Sequence, residues 1–213
     1  MRSAVVQSLP CRTSPFFVNV RRAATFLSAT ILAVACSSSS SNTGGAGTAT
    51  VTGSVNGTSF SSVGSVLAIS NNKSSPGVNI DLWSTASLTC SALISQVEKN
   101  EIVSEAHATN LGLYVSATSG SLTAKAYTVD GNNVKADFVT TTATCEPVFV
   151  SGAPYGAATS GTITLTSVSG SSYSGSFTLT FGTTGTLTGS FDAPLCDLSS
   201  ITPSTVDGGT ICQ

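Results

Sequence analysis

The sequence predicts an all-β protein, an antiparallel β-sandwich or small barrel of roughly eight to ten strands, with at most one short helix near residues 89–100. Three observations carry that prediction. From residue 160 to 196, apolar and hydroxyl side chains alternate with period two. Tyr173, Gly175, Phe177, Leu179 and Phe181 share one phase, and Ser174, Ser176, Thr178 and Thr180 share the other. This is the pattern of a sheet with one face on a core and the other in water. Turn residues punctuate the remaining apolar runs, among them Asn56-Gly57, Pro76-Gly77 and Asp130-Gly131-Asn132-Asn133. Helical spacing occurs around residues 89–100, where Leu93, Ile94 and Val97 stand at i, i+1 and i+4 and Ser87 or Thr89 can cap.

Residues 1–35 read as a signal peptide. Arg21 and Arg22 precede an apolar run over residues 23–35, shorter than the ~20 residues of a spanning helix. Residues 1–20, including Cys11, are either a long n-region or lie upstream of the true start. Ala33-Val34-Ala35-Cys36 resembles a bacterial lipobox, with Ala33 where Leu is commonest. The resemblance implies that Cys36 is acylated and heads the mature chain. The alternative is a secreted protein cut after Ala35, with Cys36 free or in a disulfide. Ser37 in place of Asp after Cys36 implies, by the same resemblance, delivery to the outer membrane. Residues 36–50 are rich in Ser, Gly and Thr and read as a flexible tether. Residues 51–213 read as a single antiparallel β domain, long enough to enclose a core.

Within that domain, Val51, Gly53 and Val55 alternate with Thr and Ser up to the Asn56-Gly57 turn, and the chain returns through Ser59 and Phe60. Strands are expected at residues 66–69, 78–83, 110–117, 122–129 and 134–142, and then in the three-strand meander of residues 160–196. The charged stretch with Glu98, Glu101 and Glu105 reads as a helix face or loop. Residues 145–158, with Pro147 and Pro154, read as a loop.

All four arginines (Arg2, Arg12, Arg21, Arg22) fall in the leader. The chain from Cys36 onward therefore holds four lysines against all ten acids, a formal charge of −6. Such a chain cannot neutralise a run of phosphates, which argues against nucleic-acid partners and against electrostatic docking on anionic lipid. Membrane contact is expected through acyl chains. With Cys11 and Cys36 set aside, Cys90, Cys145, Cys196 and Cys212 form an even set, as expected for two disulfides in an exported domain. Of the three connectivities, Cys90–Cys145 with Cys196–Cys212 is the expected one. No cysteine pair has CxxC spacing and His107 is the sole histidine, so neither a metal site nor a cofactor is expected.

The segments SGTITLTSV, YSGSFTLTF and GTLTGSFDAPLC, the opening hairpin Gly53–Phe60 and the closing G-x-F-x-A-P-x-C at Gly189–Cys196 resemble a group of small bacterial lipoproteins of unknown function. That resemblance implies a β-rich extracytoplasmic domain and carries over no activity and no catalytic residue.

Motifs with chemical potential are few. Ser70-Asn71-Asn72-Lys73 matches SxxK, without the companion motifs of that chemistry, and reads as a turn. His107 lacks flanking support for a triad. Glu98, Glu101 and Glu105 could pair as glycosidase carboxylates, and a solvated face is the simpler account. Asp130-Gly131-Asn132 suggests calcium-loop oxygens, but the ligand series is not completed, so a β-turn is expected. Trp83, Tyr114, Tyr127, Tyr155 and Tyr173 could build a sugar-stacking surface. Most sit in apolar phases and read as core, with Tyr155 the best candidate for exposure. The expectation is a non-enzymatic, lipid-anchored envelope protein with a structural, adhesive or binding role toward a polysaccharide or an envelope protein. A carbohydrate-binding module is the alternative and an envelope hydrolase the second. The module requires two or more exposed coplanar aromatics, and the hydrolase requires His107 or a glutamate pair in a concave pocket.

Overall fold

The computed structural model describes residues 47–60, 62–70, 76–86, 88–149, 156–202 and 208–213. The leader, Cys36, Lys73 and Tyr155 lie outside the described residues. The all-β expectation is borne out: the described residues form thirteen strands and one short helix. The first hairpin forms as its turn residues require. Strand β1 (Thr48–Val55) passes through Asn56 (φ 49°) and Gly57 (φ 78°) into β2 (Thr58–Ser59). Two successive positive φ values give the two-residue turn whose twist matches the flanking strands. β1 starts at Thr48, inside the stretch expected to be tether.

Next come β3 (Ser65–Ser70), β4 (Gly77–Trp83) and helix α1 (Cys90–Lys99). The Ala92 N–H donates to the Thr89 hydroxyl at 3.2 Å, and Asn100 closes the helix in the left-handed region. β5 (Glu101–Ser104), β6 (Thr109–Ser116), β7 (Lys125–Thr128), β8 (Val134–Thr141) and β9 (Pro147–Phe149) follow. Then β10 (Ser160–Val168), β11 (Ser172–Thr180) and β12 (Gly185–Asp197) form the predicted meander, and β13 (Gly209–Cys212) ends the chain.

Eleven strands make one sheet in the order β7-β10-β11-β12-β3-β4-β6-β8-β9, with β1 and β2 branching from β12. The sheet curls into a half-barrel rather than stacking as two layers. At its far side, an isolated bridge between Asp137 and Ala157 and the Ala158 N–H to Ala136 carbonyl bond (2.8 Å) tie β8 to the segment leading into β10.

Two expectations need correction. The sheet is mixed, because β12 outruns β1 and its last residues, Leu195, Cys196 and Asp197, pair in parallel with Ala68, Ile69 and Ser70 of β3. A second parallel pair, β5 with β13, forms a separate two-stranded ribbon. The strand count also exceeds the expected range, through the short strands β2, β5, β9 and β13.

One core fills the concave side. Phe138 lies between Phe60 (centroids 6.2 Å apart) and Phe181 (6.1 Å), with Ile80, Leu111, Leu113, Ile163, Leu179 and Leu187 around them. In the meander, two phenylalanines lie over glycines on the neighbouring strand. Phe177 pairs with Gly189 and Phe191 with Gly175. A Cβ on Gly189 would fall 2.6 Å from Phe177 Cζ, and one on Gly175 would fall 2.8 Å from Phe191 Cζ, so these glycines make room for the rings.

A second, smaller apolar cluster lies outside the sheet, where α1 covers Leu67 and Ile69 of β3 with Leu93, Ile94 and Val97. β3 is therefore buried on both faces, and its SVLAI run lacks alternation for that reason.

Two disulfides form, joining Cys90 to Cys196 and Cys145 to Cys212. The expected pairing, Cys90–Cys145 with Cys196–Cys212, is wrong. The end of β12 runs beside β3 beneath α1, which brings Cys196 under the first residue of the helix. The ribbon then carries Cys212 to the loop between β8 and β9.

Candidate functional site

The site grows from the phase of three neighbouring strands. β4 turns Val78, Ile80 and Leu82 into the core and leaves Asn79, Asp81 and Trp83 on the outer face. β6 likewise presents Asn110, Gly112 and Tyr114, and β8 presents Lys135, Asp137 and Val139. Strand register sets them in rows: Trp83–Asn110–Val139, Asp81–Gly112–Asp137 and Asn79–Tyr114–Lys135. Gly112 leaves the middle row open, since a Cβ there would lie 3.3 Å from Asp81 Oδ1. Lys135 Nζ sits 5.5 Å from the centre of the Tyr114 ring, a cation–π distance.

Beside the first row, the sheet and the β5–β13 ribbon flank a half-open cavity of about 610 Å³. Trp83, Asn110, Val139 and Thr141 form the sheet-side wall. Ile102, Ser104, Thr210 and the Cys145–Cys212 disulfide form the ribbon side, with Glu146 and Pro147 from the β8–β9 connection. The polar groups are held in place by the backbone. Asn110 Nδ2 donates to the Leu82 carbonyl at 3.4 Å, and Ser104 Oγ to the Cys145 carbonyl at 3.5 Å. Thr141 Oγ1 donates to the Glu105 carbonyl and accepts from the Ala108 N–H. The Glu146 N–H donates to Thr142 Oγ1 at 3.1 Å, which fixes the backbone that carries its carboxylate. Among the described residues, no cationic side chain lines this cavity.

A smaller cavity, about 220 Å³, lies between α1 and β4 and is lined by Asp81, Trp83, Leu93, Gln96, Glu105 and Gln213 among others. Burial pushes the Asp81 carboxyl up to about 6, against the opposing effect of the Asn79 amide, which donates to Asp81 Oδ1 at 2.8 Å. Burial also raises Asp137, with the Lys135 charge pulling the other way. Trp83 belongs to the walls of both cavities. Its indole N–H is shielded from solvent and has no hydrogen-bond partner among the described residues.

The residues singled out from sequence are dispersed. Cys36 and Tyr155 lie outside the described residues. His107 is exposed, at φ 56°, and lines neither cavity. Glu98 is exposed on α1, Glu101 pairs with Lys99 at 3.8 Å, and Glu105 lines the smaller cavity. Asp130 is a turn residue: Oδ1 accepts the Asn132 and Val134 N–H groups at 2.8 and 2.9 Å, and these bonds lower its pKa. Tyr127 is buried, its hydroxyl donating to the Thr123 carbonyl at 2.9 Å, and Tyr173 packs half-buried against the core.

Trp83 and Tyr114 depart from the expected core position and share the outward face, both half-buried. The signal was present in Val78-Asn79-Ile80-Asp81-Leu82-Trp83, where Trp83 falls in phase with the polar residues. Asn110, Ser104, Glu146 and Thr210 come from four further segments, and no local pattern joins them.

Among the described residues, no group of three or more His, Cys, Asp or Glu could hold a metal ion, and no helix is long and apolar enough to cross a membrane. No protein-family model, curated protein or solved structure matches the chain.

Proposed function

We propose that this chain is a lipid-anchored protein of the bacterial cell envelope, acylated at Cys36 and held at the outer membrane, whose β domain binds and does not catalyse. The observation that carries the reading is the cysteine account. Cys90, Cys145, Cys196 and Cys212 are all used in two disulfides, so neither pair draws on Cys36, which stands at the end of the apolar leader. Paired cysteines suit an oxidising compartment, and the Ser/Gly/Thr-rich residues after Cys36 suit a spacer from a lipid surface. Two or more acyl chains give stable anchoring without basic residues, in keeping with the acidic chain.

The test is metabolic labelling with a palmitate analogue, followed by detergent phase partition. Label and detergent-phase protein for the wild type, both lost in Cys36→Ser, are the expected result. Label retained by Cys36→Ser, or an unlabelled soluble wild type, would overturn it.

A carbohydrate-binding module is the second reading. What favours it is the placement of Trp83 and Tyr114 on one outward sheet face, with amide and carboxylate side chains between and beside them.

A further inference from the structure

We infer that the 610 Å³ cavity beside Trp83 is a binding site for a short uncharged saccharide; the inference deepens the carbohydrate-binding reading and depends on it.

The volume falls in the ~300–1,000 Å³ range of small-molecule sites. The chemistry of the walls selects the ligand class. Trp83, Val139 and Ile102 supply apolar surface, which suits the C–H face of a pyranose ring. Asn110, Ser104 and Thr210 supply short donors and acceptors, which suit hydroxyl groups. Glu146, an exposed residue of the lining, carries an acceptor with two oxygens to which two adjacent sugar hydroxyls can donate together as charge-assisted bonds. An anionic ligand would meet Glu146 with no lining cation to offset it, so a phosphate or a uronic acid is disfavoured. A purely apolar ligand would leave unused the hydrogen-bonding capacity that Asn110 and Ser104 keep beyond their bonds to backbone carbonyls.

The site is also built to hold its shape. Its sheet wall is three register-paired strands, its roof is the β5–β13 ribbon, and the Cys145–Cys212 disulfide fastens that roof to the β8–β9 connection. Preorganised walls reduce the ordering cost of binding. Ile102 is 66% exposed at the rim, an apolar side chain whose exposure a ligand would reduce.

Trp83 is the only tryptophan in the chain, so its emission in the full-length protein reports on the two cavities whose walls it shares, and the variants at Asn110 and Glu146, which line the larger one only, tell them apart. Neutral disaccharides are titrated against the purified protein, with a uronic-acid disaccharide, a glucosamine disaccharide and a lysine dipeptide alongside, and binding is followed in parallel by calorimetry. The expected result is a saturable change in Trp83 emission with at least one neutral disaccharide and none with the charged ligands. Asn110→Leu and Glu146→Ala, each shown folded by circular dichroism, are expected to weaken that binding about tenfold or more.

Saccharide binding by calorimetry with unchanged Trp83 emission and unchanged affinity in both variants would overturn the cavity while leaving the carbohydrate-binding reading in place. Saturation only by a charged disaccharide would overturn the uncharged class, and saturation only by the lysine dipeptide would overturn the saccharide class. No binding of any saccharide would overturn both, and leaves the acylation result at Cys36 untouched.

Discussion

The outer surface of the sheet has two halves built from the same alternating grammar and put to different use. Across β1, β12, β11, β10 and β7, strand register lines up Thr52, Thr188, Thr178, Thr162 and Thr128 in one row. The next row holds Thr50, Ser190, Ser176 and Thr164. The hydroxyls bond one another, at 2.8 Å between Thr52 and Thr188 and 3.0 Å between Thr50 and Ser190. Across β3, β4, β6 and β8, the outward set instead includes Leu67, Ile69, Asp81, Trp83, Asn110 and Val139, partly covered by α1 and the ribbon. Both disulfides lie at this covered half. Short hydroxyl side chains let a sheet face water without further structure. A face carrying large apolar and aromatic residues requires a cover, and the cover here leaves two cavities. Both cavities belong to the second half.

The largest effect should come from the link that holds the cover down. Converting Cys90 and Cys196 to alanine removes a crosslink between residues 106 apart and opens space in the small apolar cluster. Chain-entropy reasoning puts the loss near 4–5 kcal/mol, read as the shift in a urea midpoint under non-reducing conditions. Phe138→Ala, at the centre of the main core, should cost about 3–5 kcal/mol and destabilise both halves together, which a single cooperative transition would report.

A smaller effect distinguishes the halves by pH. The Asp81 carboxyl titrates near 6 when folded, against an ordinary value of 3.8. Below the lower value both states are protonated and the group contributes nothing to the difference. As pH rises toward 6 the unfolded chain releases its proton while the folded one retains it, so stability falls across that window, by up to ~3 kcal/mol. Asp137, also raised, acts in the same direction, and Asp130, lowered, acts in the opposite one. The quantity to measure is therefore the wild-type stability profile minus that of Asp81→Asn, which should decline between about pH 4 and 6. A flat difference would contradict the buried placement of Asp81. At the other end of the scale, Thr188→Ala or Ser190→Ala on the hydroxyl rows should change stability by no more than ~0.5 kcal/mol in the same denaturation assay.

What could be read from sequence divides along the range of the interactions involved. The meander, the Asn56-Gly57 hairpin and α1 with its Thr89 cap are set by neighbours in the chain, and each appears where its residues place it. The parallel contacts of β12 with β3 and of β13 with β5 join segments more than a hundred residues apart, and no local spacing encodes them. The disulfide partners follow from those same contacts, so pairing by nearness in sequence failed. β5 was hidden because Glu101-Ile102-Val103-Ser104 is short and its apolar pair follows a charged stretch. Of the candidate site, the outward phase of Trp83 was legible in its own strand. Its neighbours Ser104, Asn110, Glu146 and Thr210 meet only through the ribbon and the Cys145–Cys212 link.

The contrast between the halves is tested most directly by blocking each with the same side chain. Val139→Phe narrows the cavity beside Trp83, and Thr178→Phe places an equal ring on the exposed hydroxyl rows, with Trp83 still the only tryptophan in both. Affinity for the neutral disaccharide that perturbs Trp83 emission should fall sharply in Val139→Phe and stay unchanged in Thr178→Phe. Loss in Thr178→Phe with retention in Val139→Phe would place recognition on the hydroxyl face and contradict the account.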